Sequence, residues 1–287
     1  MKSRPVPSVA ILTPSLNQFE YLKACIASVE LQGYPNVEQI VIDGGSEDGT
    51  AEYLAGHPGR VSYWQSRPDR GQGHALNQAL ERATAEWIGW QNADDYYLPE
   101  ALWLFAEMTE RFPEARVVVG DTVVVDPHQR RLFAVGVAPV PARQWLAGFW
   151  PYNQGVFIHR SIVEEVGPID ESLRLHMDTD LFARIARMDP AVAYVDEVVG
   201  AFRKHEAGKT SAGELDPESL GERAELERRY NRRLWPRSRW QRAAFRARFH
   251  GIRLARFGPG SFVRRLSERM SRPRSPWVYF PAGPAPR

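Results

Sequence analysis

The sequence holds one cysteine, Cys25, among 287 residues. A lone thiol excludes an intramolecular disulfide and a cysteine-based zinc cluster. Its neighbours Leu22, Ile26 and Val29 assign it to a core. No apolar run approaches the roughly 20 residues that a spanning helix needs. No basic-then-apolar leader opens the chain, so no signal peptide is expected and the expected compartment is the reducing cytoplasm. Two nucleotide-binding signatures are missing as well: the P-loop with its Gly-Lys-Ser/Thr, and Gly-x-Gly-x-x-Gly. What is present, 43% hydrophobic and 25% charged residues, is ordinary for a soluble globular protein. The length suits one large α/β domain or a domain with an appendage.

Charge is unevenly placed. Residues 1–220 carry 19 Lys/Arg against 31 Asp/Glu, whereas residues 221–287 carry 18 Arg against 4 Glu. Opposite signs in the two parts of one chain point to separate tasks.

Short apolar runs alternate with helical spacing through the first 120 residues. Ser8–Leu12, Val37–Ile42, Val61–Trp64, Glu86–Trp90 and Val117–Val119 read as strands. Between them Phe19, Leu22, Ile26 and Val29 recur at helical spacing, with Asn17 and Glu20 as a capping box and Gly33 as the stop. Ala51–Ala55, Gln72–Ala83 and Glu100–Phe112, the last led by Pro99, complete the helices. The alternation predicts a mainly parallel sheet with helices on both faces. Further on, Val123–Val125 and Leu132–Val137 read as a hairpin, Asn153–His159 as a strand, Asp178–Met188 as a helix and Ala191–Phe202 as one or two strands. Helices are expected from Pro217 to Met270, and a loose Pro-rich tail from 273 to 287. The expected division is a domain over residues 1–215, a basic helical extension over 216–272, and the tail.

In such sheets ligands bind beyond the carboxyl ends of the strands. Three post-strand segments are polar and small: Thr13-Pro14-Ser15, Asp43-Gly44-Gly45-Ser46 and Asn92-Ala93-Asp94-Asp95. Asp43 at a strand end can accept from a base N–H or a ribose hydroxyl, and the glycines admit a close ligand; the same segment also reads as a plain turn whose Asp48 or Thr50 caps a helix. Asp94 and Asp95 are adjacent carboxylates, costly to desolvate unless a cation or donors meet them. Neighbours in extended chain point to opposite sides, so one could take a hydroxyl and the other a hard cation. The competing reading is a surface turn capping the Leu98 helix.

Thr13-Pro14-Ser15-Leu16-Asn17, Ile42 through Thr50, Asp69-Arg70-Gly71 and Asn92 through Pro99, in that order and spacing, resemble the family 2 glycosyltransferases of GT-A fold. The likeness runs from about residue 8 to 211. It implies an inverting enzyme that moves one sugar from a nucleotide-diphosphate sugar to an acceptor hydroxyl, as in polysaccharide, glycolipid or similar glycoconjugate synthesis, with Mg²⁺ or Mn²⁺ as cofactor. Thr13, Pro14, Ser15, Asn17, Asp43, Gly44, Arg70 and Asp94 would hold the donor. Asp95 would be the metal ligand of an Asp-x-Asp element whose first position is Asn92 here, and His205 a further ligand. Asp178 would be the catalytic base, in a motif that has Met177 where the family has Glu. Helical spacing puts Asp178 on the face of Leu181, Phe182 and Ile185, and a helix N-terminus favours its ionised form. Asp180 points away and can pair with Arg184 at i+4. Trp150, Asn153 and Gln154 would line the acceptor pocket, and Arg203 through Ser211 would close over the pyrophosphate. The Gln-x-x-Arg-Trp signature of processive members is missing, which favours single transfers. A nucleotidyltransferase would need a basic Gly-rich loop after the first strand; a catalytically dead nucleotide-sugar-binding protein is the other alternative.

In the basic extension, Arg239, Arg242, Arg246 and Arg253 fall on one helical face and Trp240, Ala244, Ala247 and Leu254 on another. That pattern suits an anionic membrane surface, here the inner face, although the helix could also dock on the acidic domain. No recognition motif accompanies the charge, so nucleic acid is not an expected partner.

Overall fold

The computed structural model describes residues 6–57, 61–209, 216–235 and 239–270. Thr210 and Ser211 of the expected pyrophosphate loop and the Pro-rich tail lie outside the described residues, as do the side chains of Arg239 and Arg242. Nine strands form one sheet in the order β3-β2-β1-β4-β8-β6-β9-β5, with β7 also pairing β6. They are β1 (Val9–Ser15), β2 (Val37–Asp43), β3 (Tyr63–Ser66), β4 (Trp87–Trp90), β5 (Tyr96–Tyr97), β6 (Val117–Val125), β7 (Arg131–Val135), β8 (Val156–His159) and β9 (Val192–Arg203). β1 pairs β2 and β4 in parallel, β2 pairs β3 in parallel, and β6 pairs β9 in parallel. β8 lies antiparallel between β4 and β6. The sheet is therefore mixed and mainly parallel, as predicted.

The helices are α1 (Phe19–Glu30), α2 (Thr50–Gly56), α3 (Gln72–Arg82), α4 (Ala101–Arg111), α5 (Arg160–Val166), α6 (Met177–Met188), α7 (Pro217–Arg229) and α8 (Arg239–Met270). Period-2 alternation divides the sheet between two cores. Ala10, Leu12, Ile88, Val117 and Val119 pack with Leu76 and Ala79 of α3 and with Leu181, Phe182 and Ile185 of α6. Val9, Ile11, Trp87 and Val118 pack with Val29 of α1 and with Leu102 and Phe105 of α4. The extension shares the first core: Leu226, Tyr230 and Leu234 are buried within it, and Phe245, Phe249 and Ile252 of α8 pack against it.

Three expectations are corrected. α1 is not opened by an Asn17–Glu20 capping box. Asn17 is left-handed at φ 51°, Gln18 is the cap residue, and the Phe19 amide donates to Asp48 at 2.8 Å. The cap thus comes from a different loop, which sequence spacing does not reveal. Asn153–Gly155 is a short 3₁₀ turn, and the strand starts only at Val156. Backbone crowding explains this: a Cβ on Gly155 would lie 2.4 Å from the Gly120 carbonyl oxygen, and one on Gly200 2.2 Å from that of Gln154. Finally, Val117–Val119 and Val123–Val125 are one strand, buried throughout because β9 runs along it, with irregular register around Asp121.

Candidate active site

The loops after β1 and β2 are bound into one surface by a buried acid. Asp43 ends β2 and is fully buried. It accepts from the amides of Gly45 and Ser46 at 3.2 and 2.9 Å and from the hydroxyls of Ser46 and Ser66 at 2.5 and 2.6 Å. Ser46 in turn accepts from the Asn17 amide at 2.7 Å, and Asn17 Oδ1 accepts from the Glu47 amide at 3.1 Å. The Asp43 carboxylate therefore organises the glycine-rich loop from within. Gly44 sits where a Cβ would be 3.4 Å from the Asp69 carboxyl group.

Ser15 is buried, with no partner for its hydroxyl among the described residues. The Thr13 side chain is buried and accepts from Gln39 at 3.1 Å, so it faces the core rather than the cleft. Pro14 is buried within β1. Arg70 is engaged by Glu171, its Nε and Nη2 donating to Oε2 at 3.1 and 2.7 Å.

At the end of β4 the paired acids separate sharply. Asp95 is fully buried, and both of its oxygens are occupied. Oδ2 accepts from Asn92 Nδ2 at 3.0 Å and Gln154 Nε2 at 2.6 Å, and Oδ1 accepts from the Arg203 amide at 2.9 Å. Burial, then the neighbouring Asp94 charge, pushes its pKa well above the ordinary value. Asp94 is the acid that remains accessible: its side chain is 14% exposed, and Oδ2 lies 3.0 Å from His205 Nε2 and 3.2 Å from Gln18 Nε2. This reverses the expected division, because an enclosed carboxylate holding three donors has no face to offer a ligand. Arg203 fixes the pair, donating from Nε to the Asp94 carbonyl at 2.8 Å, with its guanidinium over the rings of Tyr21 and Tyr96.

The residues expected to line the acceptor pocket lie close by. Gln154 and Asn153 are buried, one holding Asp95 and the other donating to the Trp90 carbonyl at 3.4 Å. Trp150 packs against the core, and its indole N–H reaches the Leu234 carbonyl at 3.4 Å. Gln154 supports Asp95 from behind, and Asn153 also lines an apolar cavity.

Asp178 stands in the first turn of α6. Further along α6, Leu181 and Phe182 line an apolar cavity together with Trp90 and Asn153. This sets the second turn of α6 beside the end of β4. The Asp178 carboxyl is half-buried and accepts from the Thr179 amide at 2.6 Å. Burial raises its pKa despite the opposing charge of His176 and that amide, so desolvation outweighs the helix terminus. Asp180 pairs with Arg184 at 2.9 Å as expected, but it is buried, not on a solvent face. Arg229 at 2.9 Å and the Tyr230 hydroxyl at 2.7 Å cover it from the extension. Glu222 of α7 accepts from the amides of Arg174, Leu175 and His176, at 2.6 Å from the first.

Lys209 closes the outer side of the cleft. Its ammonium donates to Gln72 at 2.9 Å and feels the carboxylates of Asp94 and Asp69, while burial holds its pKa below the usual lysine range. Gln72 also donates to Asn92 at 2.7 Å, which links the loop to the partner of Asp95. Sequence spacing missed Gln18, Tyr21, Gln72 and Glu222, since nothing marks a polar residue on one helix as the partner of an acid on another element.

A mixed sheet with acids gathered at its carboxyl edge defines an α/β fold of GT-A type. The family model for glycosyl transferase family 2 matches residues 10–149. An uncharacterized glycosyltransferase of Mycobacterium tuberculosis is 30% identical over 185 residues, covering 63% of this chain and 69% of that protein. A glycosyltransferase of PGL/p-HBAD biosynthesis from Mycobacterium bovis is 26% identical over 220 residues, covering 75% of this chain and 83% of its own. Among solved structures, S. aureus TarS 1–349 with UDP-GlcNAc superposes with a TM-score of 0.65 at 17% identity, covering 87% of this chain and 73% of that one. The mannosyltransferase PcManGT from Pyrobaculum calidifontis, in complex with GDP-Man and Mn²⁺, gives 0.55 at 21%, covering 72% and 60%. The chain belongs to glycosyltransferase family 2.

Proposed function

We propose that this glycosyltransferase takes a nucleotide-diphosphate sugar and transfers one sugar, with inversion, to an acceptor hydroxyl. The carrying observation is the Asp94–His205 pair, 3.0 Å apart, beyond the ends of β4 and β9. The loops after β1 and β2, from Ser15 to Asn17 and from Gly44 to Ser46, would receive the nucleoside. Asp69 beside Gly44 offers a further acceptor for its hydroxyls.

The donor set fits a divalent cation. Among the described residues no group of three or more His, Cys, Asp and Glu could hold one. Magnesium or manganese, however, typically takes one or two protein ligands and completes its shell with substrate phosphates and water, and imidazole is an accepted ligand. Asp94 and His205 would therefore hold it, with Asp95 behind them as a structural acid. When bound, the cation neutralises charge on the departing diphosphate. Lys209 adds a mobile-stemmed cation on the same side.

Asp178 is read as the general base. A base with an elevated pKa holds the acceptor proton more firmly once transferred, and positioned bases contribute roughly 10²–10⁴ in rate. The cost is that Asp178 must be ionised first. Attack on the anomeric carbon from the side opposite the diphosphate gives inversion.

The test is incubation with labelled UDP-, GDP- and dTDP-sugars plus metal. Released nucleoside diphosphate is the expected result. Released pyrophosphate would point to nucleotidyl transfer, and binding without turnover to a dead enzyme. Asp178→Asn is expected to lower kcat by at least about 10² with nucleotide affinity nearly unchanged. Asp94→Ala is expected to weaken Mn²⁺-dependent nucleotide binding, read by calorimetry with and without metal. An Asp178→Asn enzyme at full rate removes that residue from the mechanism.

A further inference from the structure

The basic extension was expected to present one arginine face and one apolar face, and the structure divides them differently. The inner side of α8 is committed to the domain. Phe245 lies tilted against Phe149 at 4.5 Å between centroids, and Phe249 and Ile252 pack on the core. Arg253, expected among the outward cations, is buried; it pairs with Asp121 at 3.1 Å and Asp196 at 2.6 Å and donates to the Val137 carbonyl. Arg248 donates to Gln144 at 2.8 Å.

The outer side is apolar and uncovered. Trp240, Ala243, Ala244, Ala247, Gly251 and Leu254 are all exposed, Trp240 at 85% and Leu254 at 45%. Steps of three, four and seven residues set them on one stripe. Arg246 is exposed at the side of that stripe, whereas Arg256, at about 100° per residue, comes round to the inner side. A helix whose inner face is already satisfied has no folding reason to show water an 85% exposed tryptophan at the head of an apolar stripe. The surrounding charge selects the partner. Residues 221–287 carry 18 Arg against 4 Glu, which repels other cationic surfaces and draws anionic ones. Apolar stripe, interfacial tryptophan and the arginine beside them together match a helix lying in a headgroup layer.

We infer that the outer face of α8 seats on an anionic lipid bilayer, with Trp240 and Leu254 entering the interface and Arg246 beside them meeting phosphate headgroups. Because the inner face is pinned by Arg253, the catalytic domain is held in one orientation to the bilayer instead of swinging on a tether. The inference concerns where the enzyme works and does not depend on the reading of its chemistry.

The full chain is sedimented with phosphatidylglycerol-containing and with pure phosphatidylcholine vesicles across a salt series. Binding is expected to the anionic vesicles only and to weaken with salt. Trp240→Ser combined with Leu254→Ser should lower the partition coefficient about tenfold or more, and Arg246→Gln by about fivefold. Donor hydrolysis in vesicle-free buffer should stay unchanged in all of them, which separates a failure here from a failure of the catalytic reading. Equal binding to both vesicle types, no binding to either, or full binding by the double variant overturns the inference. So does a concentration-dependent dimer, seen by light scattering, that the double variant abolishes; that outcome gives the face to a second copy of the chain.

Discussion

Asp94 and Asp95 are chemically identical neighbours, yet one faces the cleft and the other is sealed behind it. Sequence could show that the two would diverge, because adjacent side chains in extended backbone point opposite ways. It could not show which went inside, since that depends on Gln154 and Arg203, 59 and 108 residues further on. Asp178 carries a consequence at the same scale. Its pKa is raised above the ordinary 3.8. A group that binds its proton more tightly when folded contributes stability fully below its unfolded pKa and loses that contribution as pH rises through the folded one. At neutral pH its ionised form therefore opposes folding. The Asp178→Asn protein is expected to melt at a higher temperature than the parent near neutrality, with the difference shrinking as pH falls below the carboxylate range. Equal melting temperatures at neutral pH would contradict the assigned direction. A higher melting temperature in the variant would mean that the ionised Asp178 is kept at a cost in stability.

At the scale of elements, the strands and helices of the first half were legible because each carries its own periodicity and its own stop. β3 lies two residues later than expected, and α1 has a borrowed cap. β5 and α5 were not foreseen: β5 has only two residues, and α5 spans seven. The support of α6 by α7 is equally silent in the sequence. Glu222 holds the three amides that lead into α6. Glu222→Ala leaves those amides without their acceptor and is expected to cost about 1–3 kcal/mol, measured by denaturant unfolding. It should also lower kcat with little change in donor affinity, because the element it steadies bears Asp178 and not the nucleotide loops.

For the whole molecule, the opposite charges of the two parts meet at buried acids, Asp180 with Arg229 and Asp121 with Arg253. Asp121 is fully buried in β6, and Arg253 reaches it from α8 across 132 residues. Removing one partner of a buried ion pair typically costs about 3–5 kcal/mol, because the other charge is left uncompensated. Arg253→Met is therefore expected to destabilise the protein by about that much, whereas Arg253→Met with Asp121→Leu should recover part of the loss. Thermal melts of the single and double variants measure both. The charge asymmetry was visible in composition; that it closes internally at this point was not, because one arginine among 18 carries no mark of the acid it will find.

Between β4 and β6, β8 runs against its neighbours. A reversed strand begins where the flanking strands finish. The chain that wanders from residue 126 to 152 is thus returned, at Asn153 and Gln154, directly behind the acids of β4. Remodelling of that excursion would reach Asp95 and the Trp90 carbonyl through two amide side chains, while the loops after β1 and β2 lie on strands it does not pair.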